Sequence, residues 1–239
     1  MRSDISSVIL TMLKLNIENI VAFDFMDPPA PETMMRALET LNYLGALDDE
    51  GELTPLGHQM AELPLDPQLS KTLLSSASYQ CVPEMLTITA MLSIPPFFLR
   101  PKDDVDAAEL AKSTFGNPES DHIALMNVYD AYVQEKEEDR QKWCQEHFIN
   151  SRNLKNAVKV RGQLEGILER LQIDIKNGNH HEDPYYFMNI RKCICSGFFM
   201  QVAIKEKTGS YTMIKDNEVG GKFCEFHILF VGSRFTSIY

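Results

Sequence analysis

A chain of 239 residues with 44% hydrophobic and 24% charged residues has the makeup of an ordinary globular protein, with room for one or two domains or three small ones. No apolar run reaches the roughly 18 residues needed to span a bilayer, the start MRSDISSVIL has no secretory signal and reads as a fragment boundary before a helix, and five scattered cysteines (Cys81, Cys144, Cys193, Cys195, Cys224) fit reduced thiols of the cytosol or nucleus rather than a disulfide framework. The net charge of −11 is uneven: residues 1–150 hold 25 acids and 10 bases, residues 151–239 hold 9 acids and 13 bases, so phosphate contacts are expected to concentrate in the last third.

Ser3 or Asp4 can cap a first helix through Leu15, broken by Asn16 and Ile17. FDF, Phe23 to Phe25, reads as a short strand. Pro28, Pro29 and Pro31 forbid helix before them and pre-set one after them, with Glu32 in its first turn. Met34, Met35, Leu38, Leu41, Tyr43 and Leu44 give that helix an apolar face, and Gly45 can close it. Leu47, the turn DDEG and Leu53 form a hairpin, and Thr54 caps a helix with Pro55 at its first position. Helix, tight hairpin and helix in so few residues suggest a winged helix over residues 1–66. Its expected reading helix, Pro55 to Glu62, carries His58, Gln59 and Glu62 and no Arg or Lys, which disfavours a DNA-binding regulator.

From Pro67 the pattern is helical. Gln68 to Tyr79 and Pro83 to Ser93 are amphipathic helices, followed by the extended crossing PPFFLRP. Its Phe97 and Phe98 could stack on bases, but plugging a bundle is the simpler role. Asp103 to Phe115 is a third helix and Asp121 caps a fourth. His122 has no nucleophile or second partner at a readable spacing, so it is assigned to capping and packing. EKEED, Glu135 to Asp139, reads as a solvated helix end. Trp143 opens a short helix and anchors the core.

Ser151 then caps a long helix to Leu171, with Leu154, Val158, Arg161, Leu164, Ile167, Leu168 and Leu171 on one stripe. Arg152, Lys155, Lys159 and Arg161 form a basic block with no acid before Glu165, chemistry suited to a phosphate backbone. His180 and His181 lack the companions of a metal site, and Cys193 and Cys195 have the wrong spacing for zinc or redox chemistry. Tyr185 to Phe199 is a last helix, followed by strands at Gln201 to Ile204 and Ser210 to Ile214 around the turn KEKTG.

FDFMDPPAPETMMRALETLNYLGALDDEG, LTPLG, PLDP, LTITAMLS, DHIALMNVY, WCQEHFI and NIRKCICSGFFMQVA occur in that order. Over roughly residues 1 to 217 the chain resembles the C-terminal region of DEAH-box RNA helicases, nearest to the members that G-patch proteins switch on and that serve splicing and ribosome biogenesis. The resemblance implies a mainly α (α+β) chain: winged helix at 1–66, helical ratchet-like domain at 67–184, and at 185–239 a linking helix with a truncated oligonucleotide/oligosaccharide-binding barrel. It implies that the winged helix offers an apolar surface to a G-patch helix and that the ratchet closes over single-stranded RNA lying across the motor domains. The RNA-side candidates are Arg152, Asn153, Lys155 and Lys159, with Arg191, Lys192 and Lys215 near the barrel. After Asn217 the family pattern breaks, GGKFCEF follows directly, and an incomplete, three-stranded sheet with an exposed edge is expected. The chain has no GxxxxGK[ST] loop and no Asp-Glu-Ala-His. No catalytic or metal residue is therefore assigned, ATP and Mg2+ belong to motor domains outside this sequence, and the chain alone is not expected to hydrolyse ATP. The expected partners are single-stranded RNA, helicase motor domains and a G-patch activator, with no membrane; the expected location is nuclear, nucleolar or cytoplasmic. The alternative is a motor-less module that binds G-patch-type partners.

Overall fold

Proline and threonine set the first helix boundaries. In the computed structural model, which describes residues 5–17, 20, 23–117, 120–178, 182–205, 211–213, 219–220 and 230–231, α1 spans Ile5–Lys14 and α2 spans Pro31–Tyr43 with Pro31 in its first turn. Helix α2 ends as the sequence indicates. Gly45 takes the left-handed φ of +74°, its N–H reaches the Asn42 carbonyl and that of Ala46 the Leu41 carbonyl, the paired bonds of a Schellman stop. The hairpin is reduced to one bridge, Leu47 with Leu53. Its turn is held by the Asp48 carboxylate, which accepts the N–H groups of Glu50 and Glu52, and by Gly51 at φ +86°. Thr54 Oγ1 then caps α3, Pro55–Met60, by accepting the Gly57 N–H at 3.0 Å.

The strand expected at Phe23 to Phe25 does not form. Phe25 N–H bonds back to the Phe23 carbonyl and the two rings meet edge to face at 4.8 Å, a local turn that needs no partner strand.

Helices α4 (Pro67–Ser75), α5 (Val82–Leu92), α6 (Val105–Ser113), α7 (Asp121–Gln134), α8 (Arg140–Glu146) and α9 (Ser151–Arg170) follow, then α10 (Tyr186–Phe198) and a 3-10 turn, Phe199–Gln201. Two N-caps lie one residue earlier than expected. Ser120, not Asp121, caps α7 through the His122 N–H, and Asn150, not Ser151, caps α9 by accepting from the N–H groups of Arg152 and Asn153. Helix α8 starts three residues before Trp143.

A large apolar cluster joins α1, α2 and the hairpin to α4, α5, α10 and the far end of α9. A smaller one joins Phe97 and the end of α5 to α7, α8 and the start of α9. Here the two phenylalanines of the crossing part company: Phe97 is buried, while Phe98 is half-buried, meets the Phe97 ring at a tilt with centroids 4.6 Å apart and lies under Lys112. Trp143 packs on the same cluster, stacked on His147 and edge-on to Phe115.

The tightest helix contact is α10 on α4. A Cβ added at Gly197 would lie 2.2 Å from Thr72 Oγ1 and 2.3 Å from the Gln68 carbonyl, so the two backbones approach as only glycine allows. Cys193, Gly197 and Gln201 recur at four-residue spacing on this seam. Gln201 exchanges amide hydrogen bonds with Gln68.

The described strands do not make a barrel. β1 (Ala203–Lys205), β2 (Tyr211–Met213), β3 (Val219–Gly220) and β4 (Phe230–Val231) form an open sheet in the order β3-β2-β1-β4. β4 runs parallel to β1 and the other pairs are antiparallel, so the sheet has four strands where three were expected. Strands of two and three residues are too short to curl through the tilt that closure requires, and β3 and β4 remain as its edges. Ser3, Asp4, His180, His181, Cys224, residues 206–209 of the KEKTG turn and residues 221–226 of the GGKFCEF segment lie outside the described residues.

Candidate nucleic-acid interface

Helix α9 turns one face inward and one outward, and the two carry different chemistry. Leu154, Ala157, Leu164, Ile167 and Leu168 are buried. Arg161 joins this inner side. Its Nε donates to Thr87 Oγ1 at 3.1 Å, its Nη1 donates to Glu165 at 3.2 Å, and its guanidinium lies over the Tyr129 ring. It therefore clamps α9 to α5 and α7. Burial pushes the Tyr129 phenol up, and the Arg161 cation partly opposes this.

The outer face takes Arg152, Lys155, Asn156, Lys159, Gly162, Gln163, Gly166 and Arg170, all exposed. Their positions fall on one side of a 3.6-residue helix. Among the described residues no ion pair engages Arg152, Lys155 or Lys159, and the face has no acid between Arg152 and Gln163. Burial pushes the Cys144 thiol up, partly opposed by Ser151 and then by the Lys155 cation.

Asn153 sits differently. Its Nδ2 donates to the Pro95 and Pro96 carbonyls at 3.3 and 2.9 Å, and the Asn150 N–H bonds the Phe97 carbonyl at 2.7 Å. The crossing is thus pinned against the start of α9, with Phe98 bridged to Ile149. Arg191 and Lys192 are half-buried on α10, away from the α9 face in sequence and element. Lys215 lies outside the described residues. The structure therefore brings Arg152, Lys155 and Lys159 onto one surface and gives Asn153 a bracing contact. Asn156 and Gln163, amide donors legible in the sequence, lie on this surface, and Gly166 and Arg170 extend it beyond the basic block; helical spacing from Lys159 was the available signal for the last two.

Gly162 and Gly166 interrupt the interior of a 20-residue helix, and a Cβ at either would meet nothing within 4 Å. Each costs the helix about 1 kcal/mol relative to alanine. Gly162→Ala and Gly166→Ala are expected to raise the urea midpoint, together by roughly 1–2 kcal/mol of stability; a lower midpoint would mean that the space beside them is filled.

Among the described residues no three His, Cys, Asp or Glu side chains gather as a metal site, and no helix is long and apolar enough to cross a membrane.

Residues 37–65 match the helicase-associated domain (HA2), winged-helix, and residues 66–125 match the helicase-associated domain (HA2), ratchet-like. The two in succession are typical of the C-terminal region of DEAH/RHA helicases, where they accompany motor domains and RNA. The matches cover residues 37–125 and indicate helicase-associated domains there; helix α9 lies C-terminal to the matched residues.

Proposed function

We propose that this chain works as the C-terminal accessory region of a DEAH-box RNA helicase, roofing a single-stranded RNA path with the outer face of α9. The observation that carries the reading is that face: three exposed cations, Arg152, Lys155 and Lys159, on a helix fixed from behind by Arg161. Phosphates are held there by charge, with amide donors from Asn156 and Gln163 beside them. Arg191, Lys192 and Lys215 serve the same strand further on, and Asn153 keeps the crossing in place under it. ATP and Mg2+ belong to motor domains outside this sequence.

The winged helix is the docking side. Met35 and Tyr43 stand exposed on α2 beside Glu32 and Glu39, a surface that fits an apolar, basic activator segment of the G-patch kind. The processes served are pre-mRNA splicing, spliceosome disassembly or ribosome biogenesis, in the nucleus, nucleolus and cytoplasm.

Fluorescence anisotropy with labelled oligouridine over a salt series tests the RNA reading. Arg152→Ala/Lys155→Ala/Lys159→Ala is expected to weaken binding at low salt about tenfold or more and to flatten the log–log salt slope by about 2, since each phosphate contact on a single strand contributes about 0.7. Equal affinity and slope for the wild type and the triple variant would reject it. Met35→Ala/Tyr43→Ala is expected to leave both unchanged while abolishing capture of a G-patch peptide.

A further inference from the structure

Helix α10 buries Tyr186, Ile190, Cys193, Ile194 and Gly197. Its other side carries Tyr185, Met188, Lys192, Cys195 and Phe199, at alternating steps of three and four residues that keep them on one line of the helix. Tyr185 and Phe199 close the two ends of this line, about 21 Å apart along the axis, and are 59% and 43% exposed. Among the described residues, Tyr185, Met188 and Phe199 pack in neither apolar cluster, and Cys195 alone of these apolar side chains reaches one. Lys192, half-buried midway, enters no ion pair among the described residues. From Pro184 to Lys205 the sequence has three bases and no acid, in a chain of net charge −11. The acid just before, Asp183, is engaged: its carboxylate accepts the Tyr185 N–H at 2.7 Å and its carbonyl the Tyr186 N–H, which fixes the start of α10. The close approach at Gly197 and the Gln68–Gln201 amide pair hold the far end, so the line is carried on a helix fixed at both ends. An apolar helix laid along it would bury the Lys192 ammonium without a counter-ion. A single-stranded nucleic acid brings phosphates for the cation and flat bases for the rings.

We propose that this outer line of α10 is a base-stacking platform for single-stranded RNA, a role that rests on the RNA-binding reading above and adds base contacts to the phosphate contacts of α9. Tyr185 and Phe199 each hold the face of a nucleobase, and Lys192 holds the phosphate backbone between them. Met188 gives the strand an apolar floor beside the cation. Every base has a π-face, so stacking of this kind grips a strand without reading its sequence. The rings neutralise no phosphate, so their share of the affinity is independent of salt, while that of Lys192 falls as salt rises.

The test measures the whole chain by fluorescence anisotropy with labelled oligouridine and with an abasic oligomer of the same length, over a salt series. Tyr185→Ala/Phe199→Ala is expected to weaken oligouridine binding about tenfold or more, to leave the salt slope unchanged, and to bind the abasic oligomer as the wild type does. Tyr185→Phe/Phe199→Tyr, which keeps both rings, recovers the affinity that the alanine variant loses. Lys192→Ala flattens the slope by about 0.7. Oligouridine carrying 5-iodouridine, irradiated on the unmutated chain and mapped by mass spectrometry, should cross-link at Tyr185 and Phe199, a readout that needs no variant to fold. Wild-type affinity for oligouridine in the alanine variant, an equal loss for the abasic oligomer, or cross-links on other elements only would overturn the platform. Loss of binding in Arg152→Ala/Lys155→Ala/Lys159→Ala with none in the α10 alanine variant overturns the platform and keeps the α9 reading. The reverse result rejects α9 and keeps the platform, and no binding of oligouridine by the unmutated chain rejects both.

Discussion

Gly57→Ala is expected to lower the stability of the chain by about 3 kcal/mol and its unfolding temperature by roughly 6–12 °C. A Cβ at this third position of α3 would lie 2.1 Å from the Ala46 carbonyl oxygen and 2.9 Å from a Leu53 methyl carbon. That oxygen cannot step aside cheaply. It accepts the Thr54 N–H at 3.0 Å, and Thr54 Oγ1 also donates to it and to the Gly45 carbonyl while capping α3. Moving Ala46 therefore loosens the helix cap and the α2 stop in one displacement. Circular dichroism melting checks this, and an unfolding temperature within a degree or two of wild type would show that α3 can slide away from the hairpin at little cost.

Gly197→Ala is the second large effect, also about 3 kcal/mol or more. The new methyl would meet Thr72 Oγ1 and the Gln68 carbonyl, which are themselves joined by a 2.8 Å hydrogen bond in α4. The substitution forces α10 off α4 and breaks the Gln68–Gln201 amide pair. Urea unfolding should show a lower midpoint with an unchanged slope, the signature of lost stability without a change in the surface exposed. Thr72→Ala in the same chain removes the hydroxyl but not the Gln68 carbonyl, so it should restore less than half of the loss. Full restoration would place the clash at Thr72 alone.

The sequence announced what local chemistry decides. Pro31 and Pro55 in first turns, Thr54 as a cap and Gly45 as a stop each act through neighbours within a few residues, so they read directly from the chain. The caps of α7 and α9 were displaced by one residue because Ser120 and Asp121, like Asn150 and Ser151, are adjacent residues of equal capping ability, and only backbone geometry chooses between them. FDF has strand composition, but a strand exists only through a partner, and none is near in sequence. The same dependence governs the sheet: pairing β4 parallel to β1 is a long-range choice that alternation within each short strand does not encode.

The candidate surface was half legible. Arg152, Lys155 and Lys159 fall on one helical face by spacing alone. Arg161, which falls on the apolar stripe as well as in the basic block, turns inward because Thr87, Glu165 and the Tyr129 ring satisfy it; Glu165 lies one turn along α9 itself, and Thr87 and Tyr129 lie on two other helices. Asn153 was read as a donor to RNA, and its amide is engaged by carbonyls 57 and 58 residues away in the chain. The α10 seam went unread, although Cys193, Gly197 and Gln201 at four-residue intervals are the pattern that close helix contact leaves in a sequence.

Helix α9 has a mechanical consequence. Its 20 residues make a rod about 30 Å long, anchored in the large apolar cluster at one end and the small one at the other, with the Arg161 clamp between. A pull on the outer face between Arg152 and Arg161 finds no glycine in the helix to absorb it; Gly162 and Gly166 lie beyond the clamp. The load passes into α5 and α7 together, so displacement at one end of the rod is returned as tilt at the other. A strand drawn along this face would thus move the smaller cluster against the larger one as a lever moves about its pivot.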